Sequence, residues 1–302
     1  MKAHIKASHN FPGFTEEDRK KAIETMKRTW QEFKDALANG KFQYDETEIA
    51  SRETFLKVFD DSFQKYDKDH LTCSLGSVFS GFTVGRGANL KDDEVFIAER
   101  LNPQAKYIGE NRFSPPKIEW LYLALGKDVD AVKECTQKEC RAETGKNYGF
   151  SLYSLVPEHE DTKIVDLTIA DSMSYSEIED VLNDKAEKAY KSGLKFAKKH
   201  GLFLYKINQD KFGLDHDIIK LWYLLIYSKM LSTEIFTPIY TDNQKVKKYE
   251  YSPFQTIAKY FEQLGYGGII YSSTVCTYGK NLVLFNKLSA TPTGDLQSYI
   301  IP

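Results

Sequence analysis

The first third of the chain carries apolar residues at helical spacing. Thr15 is followed by three acidic residues, which is typical of a capped helix start, because a threonine oxygen accepts a hydrogen bond from a free amide of the first turn. A second helix is predicted over residues 47–66. We therefore expect a helical N-terminal region over residues 1–90, whose last part is a glycine-rich loop. The apolar positions of the first helix are Ala22, Met26, Trp30, Phe33 and Leu37, and the loop glycines are Gly76, Gly81, Gly85 and Gly87.

Beyond residue 90, short apolar runs alternate with helical segments. Pro253 and Gly201 mark the start of one predicted helix and the end of another, because proline is favoured in a first turn and glycine just after a last turn. Two groups of strands separated by helices predict an α+β domain over residues 91–302. The predicted strands are 95–98, 120–125, 150–156, 163–167, 268–272 and 282–285, and the predicted helices are 128–141, 177–200, 214–231 and 253–264.

Composition narrows the classes of protein. The 302 residues carry a formal net charge of −2, so there is no overall field that would favour nucleic acid or an acidic membrane. The longest apolar run, at 221–227, is too short to span a bilayer, and residues 1–14 lack the apolar core of a leader. Four cysteines and six histidines show no zinc or redox spacing. We expect a soluble, cytoplasmic protein without a metal.

An arginine, a tyrosine and a glutamate follow one another in one strand–helix unit. Arg112 lies in a polar turn, and its planar guanidinium could bind a phosphate or form a surface salt bridge. Arg100, in the preceding segment, has the same two interpretations. Tyr122 lies in an apolar strand, where it could belong to the core or to a site. Glu134 lies on a largely apolar helix, where it could be a partnered site carboxylate or part of a solvated surface.

Two serines end a downstream apolar strand. Ser272 and Ser273 could contact a ribose or a phosphate, and hydroxyls at this place also form turns. The chain has no GxSxG elbow for a serine hydrolase. The glycines near residue 268 precede a strand instead of a helix, unlike those of a dinucleotide-binding turn. Gly145-Lys146 lacks the preceding glycine of a P-loop, so dehydrogenase and kinase functions are disfavoured.

Taken in order, these segments resemble an RES domain, a family named for its Arg, Glu and Ser. The first half of the resemblance is NRFSPP at 111–116, LYLA at 121–124 and AVKE at 131–134. The second half is GIIYSS at 268–273 and GKNLVLF at 279–285. The resemblance implies a fold similar to ADP-ribosyltransferase toxins and the destruction of NAD by a bacterial toxin of a toxin–antitoxin or defence system.

The resemblance also implies which residues act. Its catalytic set corresponds to Arg100, Glu134 and Ser273. The family often has Arg-x-Arg at the early strand, where this chain has Ala98 at the first position. The family also has a proline before its serine, where this chain has Ser272, so either serine could be the family serine. The residues implied for binding NAD are Arg112, Tyr122, Tyr271 and Ser272.

The expected reaction is cleavage of the ribose–nicotinamide bond by a glycohydrolase or a phosphorylase, with NAD as substrate and no cofactor. Two alternatives remain open, an ADP-ribosyltransferase that modifies a protein or nucleic acid, and a module that binds NAD or ADP-ribose without turnover. The partners implied are NAD, an antitoxin or immunity protein, and a second copy of the chain. The apolar face of the first helix needs a cover, which is either the catalytic domain or such a partner.

Overall fold

The computed structural model describes residues 15–53, 55–66, 71–199 and 214–302. A mixed sheet with flanking helices forms the described structure, which confirms the predicted α+β class. The α-helices are α1 (Glu16–Ala38), α2 (Thr47–Glu53), α3 (Phe55–Tyr66), α4 (Leu75–Gly81), α5 (Val129–Glu139), α6 (Tyr175–Lys199), α7 (Leu214–Met230) and α8 (Gln244–Gln263). The strands are β1 (Thr72–Ser74), β2 (Thr83–Asn89), β3 (Leu121–Gly126), β4 (Asn147–Leu155), β5 (Lys163–Asp166), β6 (Gly268–Ser272), β7 (Lys280–Leu284), β8 (Ala290–Pro292) and β9 (Gln297–Ile300).

Helix α1 begins as its sequence predicts. The Thr15 side chain accepts a hydrogen bond from the Asp18 amide at 3.1 Å, and the Asp18 carboxylate accepts one from the Thr15 amide at 3.1 Å. The apolar face of α1 is covered by the same chain. The Trp30 ring lies 5.0 Å from the rings of both Phe55 and Phe254, which belong to α3 and α8. The apolar stripe thus joins the main core, as its periodicity requires.

The sheet follows the order β1-β5-β6-β7-β3-β2-β4-β8, and β9 also pairs with β4. The pairs are antiparallel except for β5 and β6, which run parallel. One face of β6 and β7 packs on the helical layer through Ile269, Tyr271 and Val283. Ile270 and Leu282 point to the opposite face and pack on a smaller cluster. This alternation leaves both faces of the sheet centre buried.

Three sequence expectations need correction. The strand expected at 95–98 is wrong, because 95–97 form a loop in which Val95 is 79% exposed, and Ala98 begins a 3-10 helix. The expected glycine-rich loop contains strand β2, whose glycines allow aromatic side chains of β4 to contact its backbone closely. A Cβ atom on Gly87 would lie 2.1 Å from the Tyr148 hydroxyl oxygen. Pro253 lies inside α8 and not in its first turn, since α8 begins nine residues earlier. The cap expected at Gly201 lies outside the described residues.

The boundary expected at residue 90 stays a prediction. Strands β1 and β2 lie before it in sequence and hydrogen-bond to β5, β3 and β4, which lie after it. The helices before residue 67 share one core with α6, α7 and α8. No helix in the described part of the chain is long and apolar enough to cross a membrane.

Candidate functional site

A cavity of about 460 Å³ opens beside the centre of the sheet. Its walls come from β2, β3, the end of α5 and the loop between β6 and β7. The segment that leads into α8 forms a further wall. Sequence-distant elements therefore meet at one place. The charged and amide lining side chains are Arg86, Glu110, Asn111, Arg112, Lys138, Glu139, Arg141, Lys247 and Asn281, and the aromatic ones are Trp120, Tyr122, Tyr240, Tyr251 and Tyr271.

Arg86 brings a positive charge to this cavity from β2. The flanking residues Gly85 and Gly87 allow the aromatic side chains of β4 to approach the strand. The Arg86 Nη1 atom donates a hydrogen bond to the Tyr122 carbonyl oxygen at 3.3 Å. Desolvation lowers the pKa of the Arg86 guanidinium. Arg86 lines the cavity, and within the described residues no carboxylate pairs with it.

Glu139 supplies a carboxylate from the last turn of α5. Its Oε1 atom accepts hydrogen bonds from the Ser273 hydroxyl at 2.7 Å and from the Asn281 amide at 2.5 Å. The Ser273 oxygen also accepts a hydrogen bond from the Cys276 amide at 2.9 Å, which fixes the turn after β6. Ser273 therefore both forms a turn and orients Glu139. Two polar side chains hold this carboxylate in place.

Two tyrosines form a neutral part of the wall. The Tyr122 hydroxyl exchanges a hydrogen bond of 2.9 Å with the Ser114 hydroxyl. Tyr271 packs its ring on Phe113, with ring centroids 4.7 Å apart. Burial raises the pKa of both phenols well above the usual value. These side chains therefore stay protonated at neutral pH and can offer flat apolar faces to a ring.

Arg112 lies among aromatic rings at the other side of the cavity. Its guanidinium carbon lies 5.4 Å from the Phe236 ring centroid and 5.7 Å from that of Phe254. Its Nη2 atom donates a hydrogen bond to the Thr237 carbonyl oxygen at 2.8 Å. The electron-rich faces of these rings stabilise the guanidinium charge.

The structure separates the residues that the sequence grouped together. Arg112, Tyr122 and Tyr271 line the cavity, and Ser273 contacts it through Glu139. Glu134 does not line it, because its side chain is 60% exposed and its carboxylate pairs with Lys138 at 2.6 Å.

Arg100 and Ser272 also lie away from the cavity lining. Arg100 donates hydrogen bonds to the Glu94 carboxylate at 2.6 Å and to the Asn89 carbonyl oxygen at 3.1 Å. Ser272 donates a hydrogen bond to the Asp171 carboxylate. Because neighbouring residues of a strand point to opposite faces, Ser272 turns away from the face that Tyr271 presents to the cavity.

Sequence reasoning missed Arg86 and Glu139. Arg86 stands in Gly85-Arg86-Gly87, and two glycines around one arginine are the signal of a strand approached closely by another element. Glu139 stands four residues after the buried Cys135 on the same helix, so both share one face. The sequence shows this four-residue spacing, but it does not show that Ser273 and Asn281 are the partners of Glu139.

The lining has an uneven charge. Five cationic side chains line the cavity with two carboxylates, those of Glu110 and Glu139, and one of the five, Lys138, already pairs with Glu134 outside the lining. The Glu110 carboxylate already accepts a hydrogen bond from Gln255 at 2.7 Å. Such a cavity, with aromatic walls, suits a flat ligand that carries several negative charges.

No protein-family model, curated protein or solved structure matches this chain. The residues that the structure describes contain no cluster of three His, Cys, Asp or Glu side chains that could hold a metal ion.

Proposed function

We propose that this cavity binds NAD and cleaves its ribose–nicotinamide bond. One observation carries the proposal: the Glu139 carboxylate is held by Ser273 and Asn281 within a lining rich in cations and aromatic rings. The cations fit the diphosphate, the rings fit the bases, and the carboxylate fits the sugar cation that forms on cleavage. The resemblance to the RES family supports the same substrate.

Glu139 takes the role of the catalytic carboxylate in this proposal. Cleavage passes through a transition state in which positive charge develops on the ribose. A fixed negative charge beside the anomeric carbon stabilises this state more than the ground state. Nicotinamide leaves as a neutral molecule, so the reaction requires little acid catalysis. Glu134 is less suited, because its carboxylate is exposed and already paired with Lys138.

Arg86 and Arg112 contribute positive charge to the binding of the diphosphate in this proposal. Guanidinium groups bind phosphate oxygens through paired hydrogen bonds, and neither arginine pairs with a carboxylate of the described residues. Arg86 replaces Arg100 as the early arginine, because Arg100 already donates to Glu94 outside the cavity. Tyr122 and Tyr271 provide aromatic surface for the nicotinamide ring.

The toxin role, and with it an antitoxin or immunity partner, rests on the resemblance alone and remains part of the proposal. The acceptor of the ADP-ribosyl group is water, phosphate or a macromolecule. An NAD-binding module without turnover would gain nothing from a carboxylate at the anomeric carbon. The geometry around Glu139 therefore favours an enzyme over a binding module.

Product analysis by mass spectrometry tests this proposal. Purified protein is incubated with NAD alone, with added phosphate, and with cell lysate as a source of acceptors. We expect release of nicotinamide, and the second product identifies the acceptor as water, phosphate or a macromolecule. Glu139→Gln serves as the inactive control, since it keeps the shape and removes the charge. Undiminished NAD under all three conditions would contradict the proposal.

A further inference from the structure

Residues 237–242, which we call the strap, run along the cavity between two fixed ends. At one end, Phe236 is buried and stacks on Phe254 with ring centroids 4.9 Å apart. At the other end, the Asn243 side chain caps α8 by accepting a hydrogen bond from the Lys245 amide at 3.0 Å. The strap residues between these two anchors belong to no helix, so the strap can change its position while α8 and the helical segment before Phe236 stay intact. Three strap residues line the cavity: Pro238, Ile239 and Tyr240.

Two cavity arginines hold the strap. Arg112 donates a hydrogen bond to the Thr237 carbonyl oxygen at 2.8 Å, and Arg141 donates one to the Ile239 carbonyl oxygen at 3.3 Å. The Arg141 guanidinium also lies 5.7 Å from the Tyr240 ring centroid. Arg141 has a φ of 49°, a backbone conformation that non-glycine residues rarely adopt. In the described chain neither arginine pairs with a carboxylate, so neutral carbonyl groups of the strap are the acceptors of both.

We propose that Arg112 and Arg141 form a diphosphate-binding pair whose hydrogen-bonding positions the strap occupies in the free protein. The ligand would displace the Thr237 and Ile239 carbonyl groups and release the strap from the cavity. Hydrogen bonds between a guanidinium and a phosphate join two charged groups and are stronger than those to a neutral carbonyl. The exchange is therefore favourable for an anion and unfavourable for a neutral ligand.

The two carbonyl groups are close enough together to be displaced by the two phosphates of one diphosphate. They belong to residues two apart, so about 7 Å of extended chain separates them at most. Two anionic groups joined by a short link can each pair with one guanidinium group, whereas a single phosphate offers one anionic group to both. Identification of the ligand as the diphosphate of NAD or ADP-ribose rests on the function proposed above.

Hydrogen exchange of the whole chain, followed by mass spectrometry, tests the strap. The Thr237 amide of the strap donates a hydrogen bond to the Ile235 carbonyl oxygen at 2.9 Å, so its exchange is measurable in a peptide that spans 236–243. The probes are ADP-ribose and inorganic phosphate, and calorimetry measures the binding of each. We expect ADP-ribose to accelerate exchange over 236–243, and phosphate at the same concentration to leave it unchanged.

Variants of Arg141 and Arg112 form the second part of this experiment. In Arg141→Ala, exchange over 236–243 should already be about fivefold faster without ligand, since one strap hydrogen bond is lost. Its affinity for ADP-ribose should fall by roughly tenfold or more, the usual size for a lost hydrogen bond to a charged group. Arg112→Lys, which keeps the charge without the planar fork, should act in the same direction. Arg28→Ala is the matched control, since Arg28 pairs with Glu32 on the exposed surface of α1.

The outcomes separate this proposal from the function above. Binding of ADP-ribose with unchanged exchange over 236–243 would overturn the strap and leave the NAD proposal standing. Equal acceleration by phosphate would overturn the diphosphate pair. Wild-type exchange and affinity in both arginine variants would overturn the pair as well. Absence of ADP-ribose binding to the wild-type protein would overturn this inference, and undiminished NAD in the product analysis would overturn the enzyme separately.

Discussion

Two regions of the protein carry the same kinds of charged side chain in different settings. On the surface, Arg100 pairs with Glu94, and Glu134 pairs with Lys138, both at 2.6 Å. In the cavity, Arg86 has no carboxylate partner within the described residues. The surface charges pair with one another, whereas the Arg86 guanidinium at the cavity has no opposite charge beside it among the described residues.

This difference has a physical meaning. Exposed ion pairs contribute little to stability, because water and salt screen them. A desolvated charge without a partner destabilises the folded state, so it persists where it serves another purpose. Ligand binding is such a purpose, and it distinguishes the two regions better than residue type does. The following predictions test this contrast, from the largest expected effect to the smallest.

The two glutamates of α5 provide the sharpest test. We expect Glu139→Gln to lower turnover of NAD by roughly 100- to 1000-fold, the size found when one electrostatic stabiliser of a transition state is removed. NAD affinity should change much less, since the lost interaction belongs mainly to the transition state. Glu134→Gln, five residues earlier, should lower turnover far less. Steady-state kinetics with binding measured separately would decide, and a larger loss in Glu134→Gln would restore the assignment made from the sequence.

The two arginines are expected to differ in both binding and stability. Arg86→Met should weaken NAD binding by roughly tenfold or more, because a charged hydrogen bond to phosphate is lost. Its free energy of unfolding should stay the same or rise, because an apolar side chain replaces a desolvated charge. Arg100→Met should leave binding near the wild-type value and reduce the free energy of unfolding by about 1 kcal/mol or less. Calorimetry and urea unfolding measure the two quantities. Strong destabilisation by Arg86→Met would show that this charge has a structural role.

The smallest effect concerns the pH dependence of the surface pair. A hydrogen bond from the Lys91 amide, followed by the contact with Arg100, lowers the pKa of Glu94. A lowered folded-state pKa adds stability above the unfolded-state value, and this stability is lost as the pH falls through the lowered pKa. The difference in unfolding free energy between wild type and Arg100→Met should therefore shrink as the pH falls below 4.5. Urea titrations at pH 7 and at successively lower pH measure it, and a constant difference would contradict the prediction.

Local patterns determined much of the helical structure and several strands. The Thr15 cap, the apolar stripe of α1 and the buried strand β6 depend on residues close in sequence, so spacing alone predicts them. The α+β class follows from their order along the chain. Arg112 and Tyr122 were singled out from the strand–helix unit, and Tyr271 through the family resemblance, and all three line the cavity.

Only the tertiary structure decided which charges face the cavity. Arg86 and Arg100 are equally polar in sequence, and so are Glu134 and Glu139. Their difference comes from the Tyr122 carbonyl for Arg86, and from Ser273 and Asn281 for Glu139, all of which lie far away along the chain. Hydrogen bonds and desolvation depend on which residues are neighbours in space. The periodicity of apolar residues in the sequence shows only on which face of a helix or strand a residue lies. Many helices and several strands of this protein could therefore be predicted from its sequence, whereas the identity of its cavity charges required the folded chain.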